Sequence, residues 1–131
     1  MANSPSFVEH ALDLVALVGP VDARRMFGGH GLYHRGAFFG LLDDDELYLK
    51  TDAETVGRFV EAGCRAWVYG GEQSTSYYRP PDEAHEDAEA MLPWARLAVE
   101  AALRAAKAKA AKAAAAVERR RAGARSKRRR R

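Results

Sequence analysis

Apolar residues alternate between helical and strand spacing along this chain. Residues 6–18 carry them at helical spacing and end at Gly19-Pro20, which predicts a first helix. From Arg24 to Thr51, short apolar and aromatic runs are separated by glycines or acids. In the last run Leu47 and Leu49 alternate with polar or amphipathic neighbours. This pattern predicts a β-meander, since neighbouring antiparallel strands need only short connections.

Turn and cap residues place the boundaries of these elements. Arg35-Gly36 suits a tight reversal, and residues 43–45 suit a polar loop. Ser6 with Glu9, and Thr51 with Glu54, have the spacing of a capping box at the starts of the first and second helices. The strands predicted in the meander are Arg25–Phe27, Gly31–His34, Ala37–Leu42 and Glu46–Lys50.

The second half of the chain predicts a short helix, two strands and a long helix. Val56–Val60 presents one apolar face, and Gly63 is placed to end that helix. Ala66–Tyr69 and Ser76–Arg79 have strand character. The last helix begins between Asp87 and Pro93, because proline is comfortable only in a first turn. Core packing ends near Leu103, after which no large apolar residue appears until Val117.

Length and cysteine content narrow the class of protein. The 131 residues support one domain, and a single cysteine forms neither an internal disulfide nor a cysteine-based zinc site. No apolar stretch approaches the ~20 residues that span a bilayer, and the start resembles no secretory signal. These features predict a soluble protein of the cytoplasm.

Charge divides the chain into two parts. Residues 1–104 contain nine basic and 17 acidic residues, a net charge of −8, whereas residues 105–131 contain 12 basic residues and one acid, a net charge of +11. Ala105–Ala116 contains only alanine and lysine and has high helix propensity. We therefore expect a folded domain over 1–104 and a basic tail over 105–131 that is helical at first and disordered from Gly123 onward.

The basic tail is the candidate nucleic-acid-binding segment. Each phosphate that a lysine or arginine neutralises releases condensed counterions, which gives affinity without reading sequence. The tail has no aromatic residue for stacking on single-stranded bases and no large apolar face for a membrane. Duplex DNA or structured RNA backbone fits best; a solubilising appendage, or a tail folded back on the acidic domain, is the alternative. The candidate residues are Lys107, Lys109, Lys112, Arg119, Arg120, Arg121, Arg125, Lys127, Arg128, Arg129, Arg130 and Arg131.

A glycine-rich segment, residues 26–33, is the most distinctive local motif. Its glycines and the preceding Arg24 and Arg25 suggest an anion cradle. The segment lacks the spacing of a P-loop or a dinucleotide fingerprint. A bend where one strand closely crosses a helix is the simpler interpretation. The residues that define the motif are Met26, Phe27, Gly28, Gly29, Gly31 and Tyr33.

No catalytic, cofactor or metal site is predicted. The acids at 43–46 lack the spacing of a calcium loop, and the four histidines lack zinc-site spacing. Cys64 is expected to be buried at a helix end. Aromatic residues alternate at 67–69 and 77–78, so one member of each pair should face the core and the other the surface. A surface aromatic patch would favour a protein partner.

The glycine-rich segment, together with several later motifs, resembles the N-terminal domain of the TfoX/Sxy family of bacterial competence regulators. Further matches are Phe38-Phe39-Gly40-Leu41, Leu47-Tyr48-Leu49-Lys50, Ser76-Tyr77-Tyr78 and Trp94-Ala95, over roughly residues 5–105. The resemblance implies an α+β fold: an antiparallel sheet of about five to six strands, helices mainly on one face, and a long C-terminal helix. It also implies a regulator of DNA-uptake genes that is not an enzyme. Longer members of the family add a helical domain where this chain has its basic tail.

Three functions follow from these observations. The first is a non-enzymatic regulatory module, related to competence or transcription, with a tail that binds nucleic-acid backbone. The second is a protein-interaction or homodimerisation domain with no role in nucleic-acid binding. The third is a small ligand-binding domain at the Gly28–Gly31 bend.

Overall fold

A computed structural model describes residues 2–129, with side chains through residue 124. Three α-helices and six strands form one α+β domain, with short 3-10 helices at Ala16–Val18 and Asp82–His85. In chain order the elements are α1 (Pro5–Val15), β1 (Asp22–Met26), β2 (Gly29–His34), β3 (Ala37–Asp43), β4 (Glu46–Lys50), α2 (Val56–Glu61), β5 (Ala66–Tyr69), β6 (Glu72–Tyr78) and α3 (Ala88–Arg129).

The six strands form one antiparallel sheet in the order β1-β2-β3-β4-β6-β5. Strands β1 to β4 are the predicted meander, and the chain then crosses through α2 to place β5 at the far edge. Strand β6 pairs with β4 only at Leu49–Tyr78 and Lys50–Tyr77. This short junction leaves the outer part of the β5–β6 hairpin outside the β4 ladder.

The main core lies between one face of the sheet and the helices. Alternation along the strands directs Leu32, Phe39, Leu47 and Leu49 to this face, and all four are at most 1% exposed. All three helices contribute to this layer. Their buried members are Ala11, Leu14, Val15, Phe59, Met91, Ala95, Ala98 and Ala102. The predicted placement of helices on one face is confirmed.

All four hairpins turn through two residues with positive φ. Such turns match the right-handed twist of the strands they join. Arg35-Gly36 reverses the chain as predicted, and Asp44 with Asp45 reverses it at the acidic loop. The first turn is Phe27-Gly28, with φ of 52° and 75°. A bulky residue rarely adopts this conformation, so Phe27 occupies a position that would suit asparagine or glycine.

Both predicted capping boxes are wrong in detail. The N-cap of α1 is Ser4, whose hydroxyl accepts a hydrogen bond from the Phe7 amide, and Pro5 occupies the first turn. Thr55 is the N-cap of α2, and the Thr51 hydroxyl instead donates to the Ser76 carbonyl. Pro5, which follows polar Ser4, favours this earlier start of α1. Proline lacks a backbone N–H, and the N–H groups of the first turn have no partner within the helix.

Helix α3 is far longer than the domain on which it packs. Its 42 residues extend about 63 Å at ~1.5 Å per residue. The last buried side chain belongs to Ala102, and Leu103 is 51% exposed. The helix continues past Gly123, where the sequence predicts the onset of disorder, to Arg129. One glycine costs a helix only about 1 kcal/mol relative to alanine, and the surrounding Ala and Arg favour helix.

A bidentate ion pair fastens α3 to the domain where the core ends. Arg104 donates to Asp52 from Nε at 2.6 Å and from one terminal nitrogen at 3.1 Å. Asp52 also accepts hydrogen bonds from the Glu54 and Thr55 amides at the start of α2. The bond from Arg104, followed by these local contacts, lowers the pKa of the Asp52 carboxyl.

We expect Asp52→Asn to lower the melting temperature at neutral pH. Folding lowers the pKa of the Asp52 carboxyl, so its charge stabilises the native state fully at a pH above the unfolded pKa of about 3.9. This stabilisation is lost as the pH falls through the lower pKa of the folded state. The difference between wild type and variant should therefore narrow as the medium becomes strongly acidic. Thermal melts followed by tryptophan fluorescence across this range measure it. A difference independent of pH would mean that the Asp52 charge does not stabilise the fold.

Candidate nucleic-acid interface

The projecting part of α3 presents its cations to solvent. Lys107, Lys109, Lys112 and Arg119–Arg121 are all exposed. Successive helical residues are 100° apart, so Arg119, Arg120 and Arg121 point to different sides of the helix. We call this set of six side chains the tail cations. They surround the helix axis instead of forming a single stripe.

The described tail side chains do not fold back onto the acidic domain. Arg104 is the last α3 cation, within the side chains described, that forms an ion pair with the domain; its partners are Asp52 and Glu54. From Ala105 to Ala124 every side chain is exposed except Ala116, which is half-buried. The tail cations are therefore available to an external polyanion.

Six predicted tail residues fall beyond the described side chains. Arg130 and Arg131 lie outside the described residues. Arg125, Lys127, Arg128 and Arg129 belong to the helical backbone of α3, beyond the last described side chain.

The glycine-rich segment does not assemble the predicted cradle. Arg24 lies on the sheet face opposite the helices, with its guanidinium 4.7 Å from the centre of the Tyr33 ring. Arg25 instead lines an open cleft with Gly28, Gly29 and His30. In that cleft the Asn3 amide nitrogen donates to His30 Nδ1 and to the Leu42 carbonyl, both at 2.9 Å. The two arginines are thus divided between different surfaces.

The close approaches at this segment involve strands and not a helix. A Cβ on Gly29 would overlap the carbonyl oxygen of Leu42 in β3. A Cβ on Gly31 would lie 2.7 Å from Met26 Sδ and 2.8 Å from the Phe38 ring. The expectation that a strand crosses a helix here is therefore corrected. The glycines let β2 approach its neighbour and let two side chains lie across it.

Aromatic rings cover the face of the sheet opposite the helices. Phe38 is central, with ring centres 5.2 Å from Tyr33 and 5.8 Å from Tyr77. Trp67 continues the array at 6.0 Å from Tyr77, 6.3 Å from Tyr48 and 5.2 Å from Tyr69. We call this surface the aromatic face; its members are Phe27, Tyr33, Phe38, Tyr48, Trp67, Tyr69 and Tyr77.

The aromatic face wraps across the curved sheet. Phe27 belongs to the turn at one edge and Tyr69 to the strand at the other, yet their ring centres are 6.1 Å apart. Five strand spacings of ~4.8 Å would separate these edges in a flat sheet. The β5–β6 hairpin therefore folds over the face, and the Trp67 indole donates to Asp43 at 3.0 Å. Phe27 and Tyr69 remain 67% and 54% exposed at its rim.

The sequence predicts only part of this surface. Tyr77 and Tyr78 separate as expected, since Tyr78 contacts Phe59 on the helix side while Tyr77 joins the aromatic face. The same expectation is wrong for Trp67 and Tyr69, which both lie on the aromatic face because residues two apart on a strand share a face. The contributions of Tyr33 and Phe38 were missed. Strand alternation could have identified them, because Tyr33 and Phe38 are directly next to Leu32 and Phe39, which face the core.

Cations border the aromatic face, and Glu46 at its edge is paired with one of them. Lys50 Nζ lies 5.3 Å from the centre of the Tyr77 ring. Glu46 accepts from Arg79 at 3.0 Å and approaches Arg65 at 4.0 Å. Burial is the main cause that raises the pKa of both the Tyr48 and Tyr77 phenols, so these rings are neutral at physiological pH.

The remaining cysteine, histidine and acidic residues that the sequence analysis considered do not form a catalytic or metal-binding cluster among the described residues. Cys64 is half-buried and not fully buried as expected, and desolvation raises the pKa of its thiol, which makes it a poor nucleophile. Within residues 2–129, no three His, Cys, Asp or Glu side chains converge on a common point suited to a metal ion. The helices among these residues include none with the length and apolarity needed to cross a bilayer.

The fold and its surfaces define a small α+β domain with an aromatic sheet face and a projecting basic helix. The sequence model of the TfoX N-terminal domain matches residues 13–102, and the chain belongs to that family. It is also similar to the DNA transformation protein TfoX1 of Aliivibrio fischeri, strain ATCC 700601 / ES114, with 39% identity over 61 residues. That region is 47% of this chain and 29% of the relative, so the match spans less than a third of the relative's length.

Proposed function

We propose that this chain is a non-enzymatic regulatory module of the cytoplasm, related to competence or transcription, whose basic helix binds nucleic-acid backbone without reading sequence. Membership of the TfoX N-terminal domain family and the similarity to a DNA transformation protein support the regulatory role. The observation that supports the tail's role is the exposure of all six tail cations beyond the last buried residue of α3.

The geometry of the tail suits non-specific contacts. From Lys107 to Arg121 the helix rises roughly 21 Å at ~1.5 Å per residue. A duplex carries one negative charge per ~1.7 Å, so about 12 phosphate charges lie along that length. The tail cations point in several directions, and so they fit phosphates on both strands better than the base edges of one groove.

Neutralising the tail cations should weaken duplex binding. We expect a variant with all six changed to glutamine to bind a random-sequence duplex at least about 10-fold more weakly at moderate salt, because each lost phosphate contact removes counterion release. Glutamine has nearly the helix propensity of lysine and arginine, so α3 is preserved. Fluorescence anisotropy of a labelled duplex measures the affinity.

A charge-preserving variant provides the matched control. It exchanges lysine for arginine at 107, 109 and 112 and arginine for lysine at 119–121, and it should retain affinity. Equal binding by the glutamine variant and the wild type would refute a role for the tail cations. Absence of duplex binding by the wild type at moderate salt would refute the proposed function itself.

A further inference from the structure

We propose that the aromatic face binds the bases of a single-stranded nucleic acid while the tail cations hold its backbone. This inference rests on the proposed function and specifies the class of nucleic acid. The tail has no aromatic ring, but the domain carries seven on one sheet face, of which Tyr33 and Phe38 line a groove with α3 and Phe27 and Tyr69 are exposed. Stacking on aromatic side chains requires unpaired bases, which a duplex does not offer.

Phe27 is the strongest local indication that this face binds a ligand. Its backbone has φ of 52°, a left-handed conformation that costs an ordinary residue about 1–2 kcal/mol. Its ring is nevertheless 67% exposed, so burial in the core does not offset this cost. Arg35 has the same conformation in the next hairpin, with φ of 49°, so the exposed aromatic ring and not the backbone strain distinguishes Phe27. Tyr69 contributes a second exposed ring at 6.1 Å.

Two cations over the rings attract a polyanion locally, although residues 1–104 carry a net charge of −8. Arg24 and Lys50 lie directly over Tyr33 and Tyr77. Of the nearby acids, Asp43 accepts the Trp67 indole N–H and Glu46 is bound by Arg79. The exposed acids are Asp22, at the start of β1, and Glu72, which pairs with Tyr69 in the β5–β6 ladder. A guanidinium plane also stacks on bases, so Arg24 extends the platform.

The aromatic face is continuous with the basic helix. Tyr33, Phe38 and Lys50 line an open groove of about 300 Å³ together with Ala105 and Lys109 of α3. Lys109 is one of the tail cations, so a strand lying on the rings reaches the tail without leaving the surface. This continuity identifies the occupant as the same nucleic acid that the tail binds.

The test compares two probes with equal numbers of phosphates: an oligothymidine and a random duplex. The full chain should bind the oligothymidine more tightly and quench tryptophan fluorescence through Trp67. The combined variant Phe27→Asn and Tyr69→Thr should weaken oligothymidine binding by about 10-fold, within the 1–3 kcal/mol measured per stacked base. Duplex binding should stay within about twofold. Asparagine suits the turn at position 27, so the variant should fold at least as well.

Val60→Ala is the control, since Val60 is 59% exposed on α2, away from the sheet face. It should change neither affinity.

If the face variant leaves oligothymidine binding unchanged while the six-glutamine variant loses duplex binding, this inference fails and the proposed function survives. If the wild type binds neither probe, both fail. If the wild type sediments as a dimer that the face variant dissociates, and oligothymidine does not compete, the face is a protein interface and the inference is overturned.

Discussion

Replacing Phe39 with alanine should remove about 3–5 kcal/mol from the free energy of unfolding. The Phe39 side chain is fully buried between β3 and the helices, so its loss leaves a cavity in the main core. Domains of this size have a total stability of only 5–15 kcal/mol. Urea unfolding followed by tryptophan fluorescence measures the change without interference from the helical signal of the tail.

Phe38→Ala is the matched control, because it removes the same side chain from the next residue. Phe38 lies on the opposite face of the sheet and is half-buried among Tyr33 and Tyr77. Its loss should cost about 1–2 kcal/mol, because less apolar surface returns to water. A greater loss of stability from Phe38→Ala than from Phe39→Ala would reverse the assignment of the two faces.

Gly29→Ala should destabilise the domain by about 3 kcal/mol or more. The added Cβ would overlap the Leu42 carbonyl oxygen, and this backbone atom cannot move without disturbing the β2–β3 ladder. Gly28→Ala provides the comparison. Its Cβ meets nothing within 4 Å, and its φ of 75° should cost only about 1 kcal/mol. Thermal or urea unfolding distinguishes the two, and a costlier Gly28→Ala would contradict the close approach at Gly29.

Local sequence signals were sufficient for the order of the elements and for the main core, but not for every bound: β1 is Asp22–Met26 and not Arg25–Phe27, and β6 begins at Glu72 and not Ser76. Alternation of Leu47 and Leu49 identified the buried face of β4, and the turn at Arg35-Gly36 lies where its residue types placed it. The start of α3 falls at Ala88, within the predicted interval, with Asp87 accepting from the Ala90 amide. Pro93 lies inside the helix, so the expectation that it occupies the first turn is wrong. Such features depend on residues close in sequence, which is why the pattern reveals them.

The aromatic face depends on contacts between residues distant in sequence. Phe27 and Tyr69 meet because the sheet curves and the β5–β6 hairpin folds over it. Neither residue type nor spacing specifies that curvature. The division of Arg24 from Arg25 has a local cause instead, since both belong to β1 and adjacent strand residues point to opposite faces.

The direction in which the tail leaves the domain could not be predicted from the sequence. Charge counting separated a basic tail from an acidic domain but left open whether they attract each other. The structure directs α3 away from the domain after Arg104, whose bond to Asp52 fixes the helix at the point of departure. The tail cations are therefore presented to solvent and not neutralised by the domain.

The salt dependence of duplex binding tests the role of the tail most directly. The logarithm of the affinity should fall linearly with the logarithm of the salt concentration, with a slope of about −0.9 for each phosphate neutralised. We predict that wild type has a slope steeper than the six-glutamine variant by up to about 5, and that the charge-preserving variant matches wild type. Identical slopes for wild type and the six-glutamine variant would contradict the account.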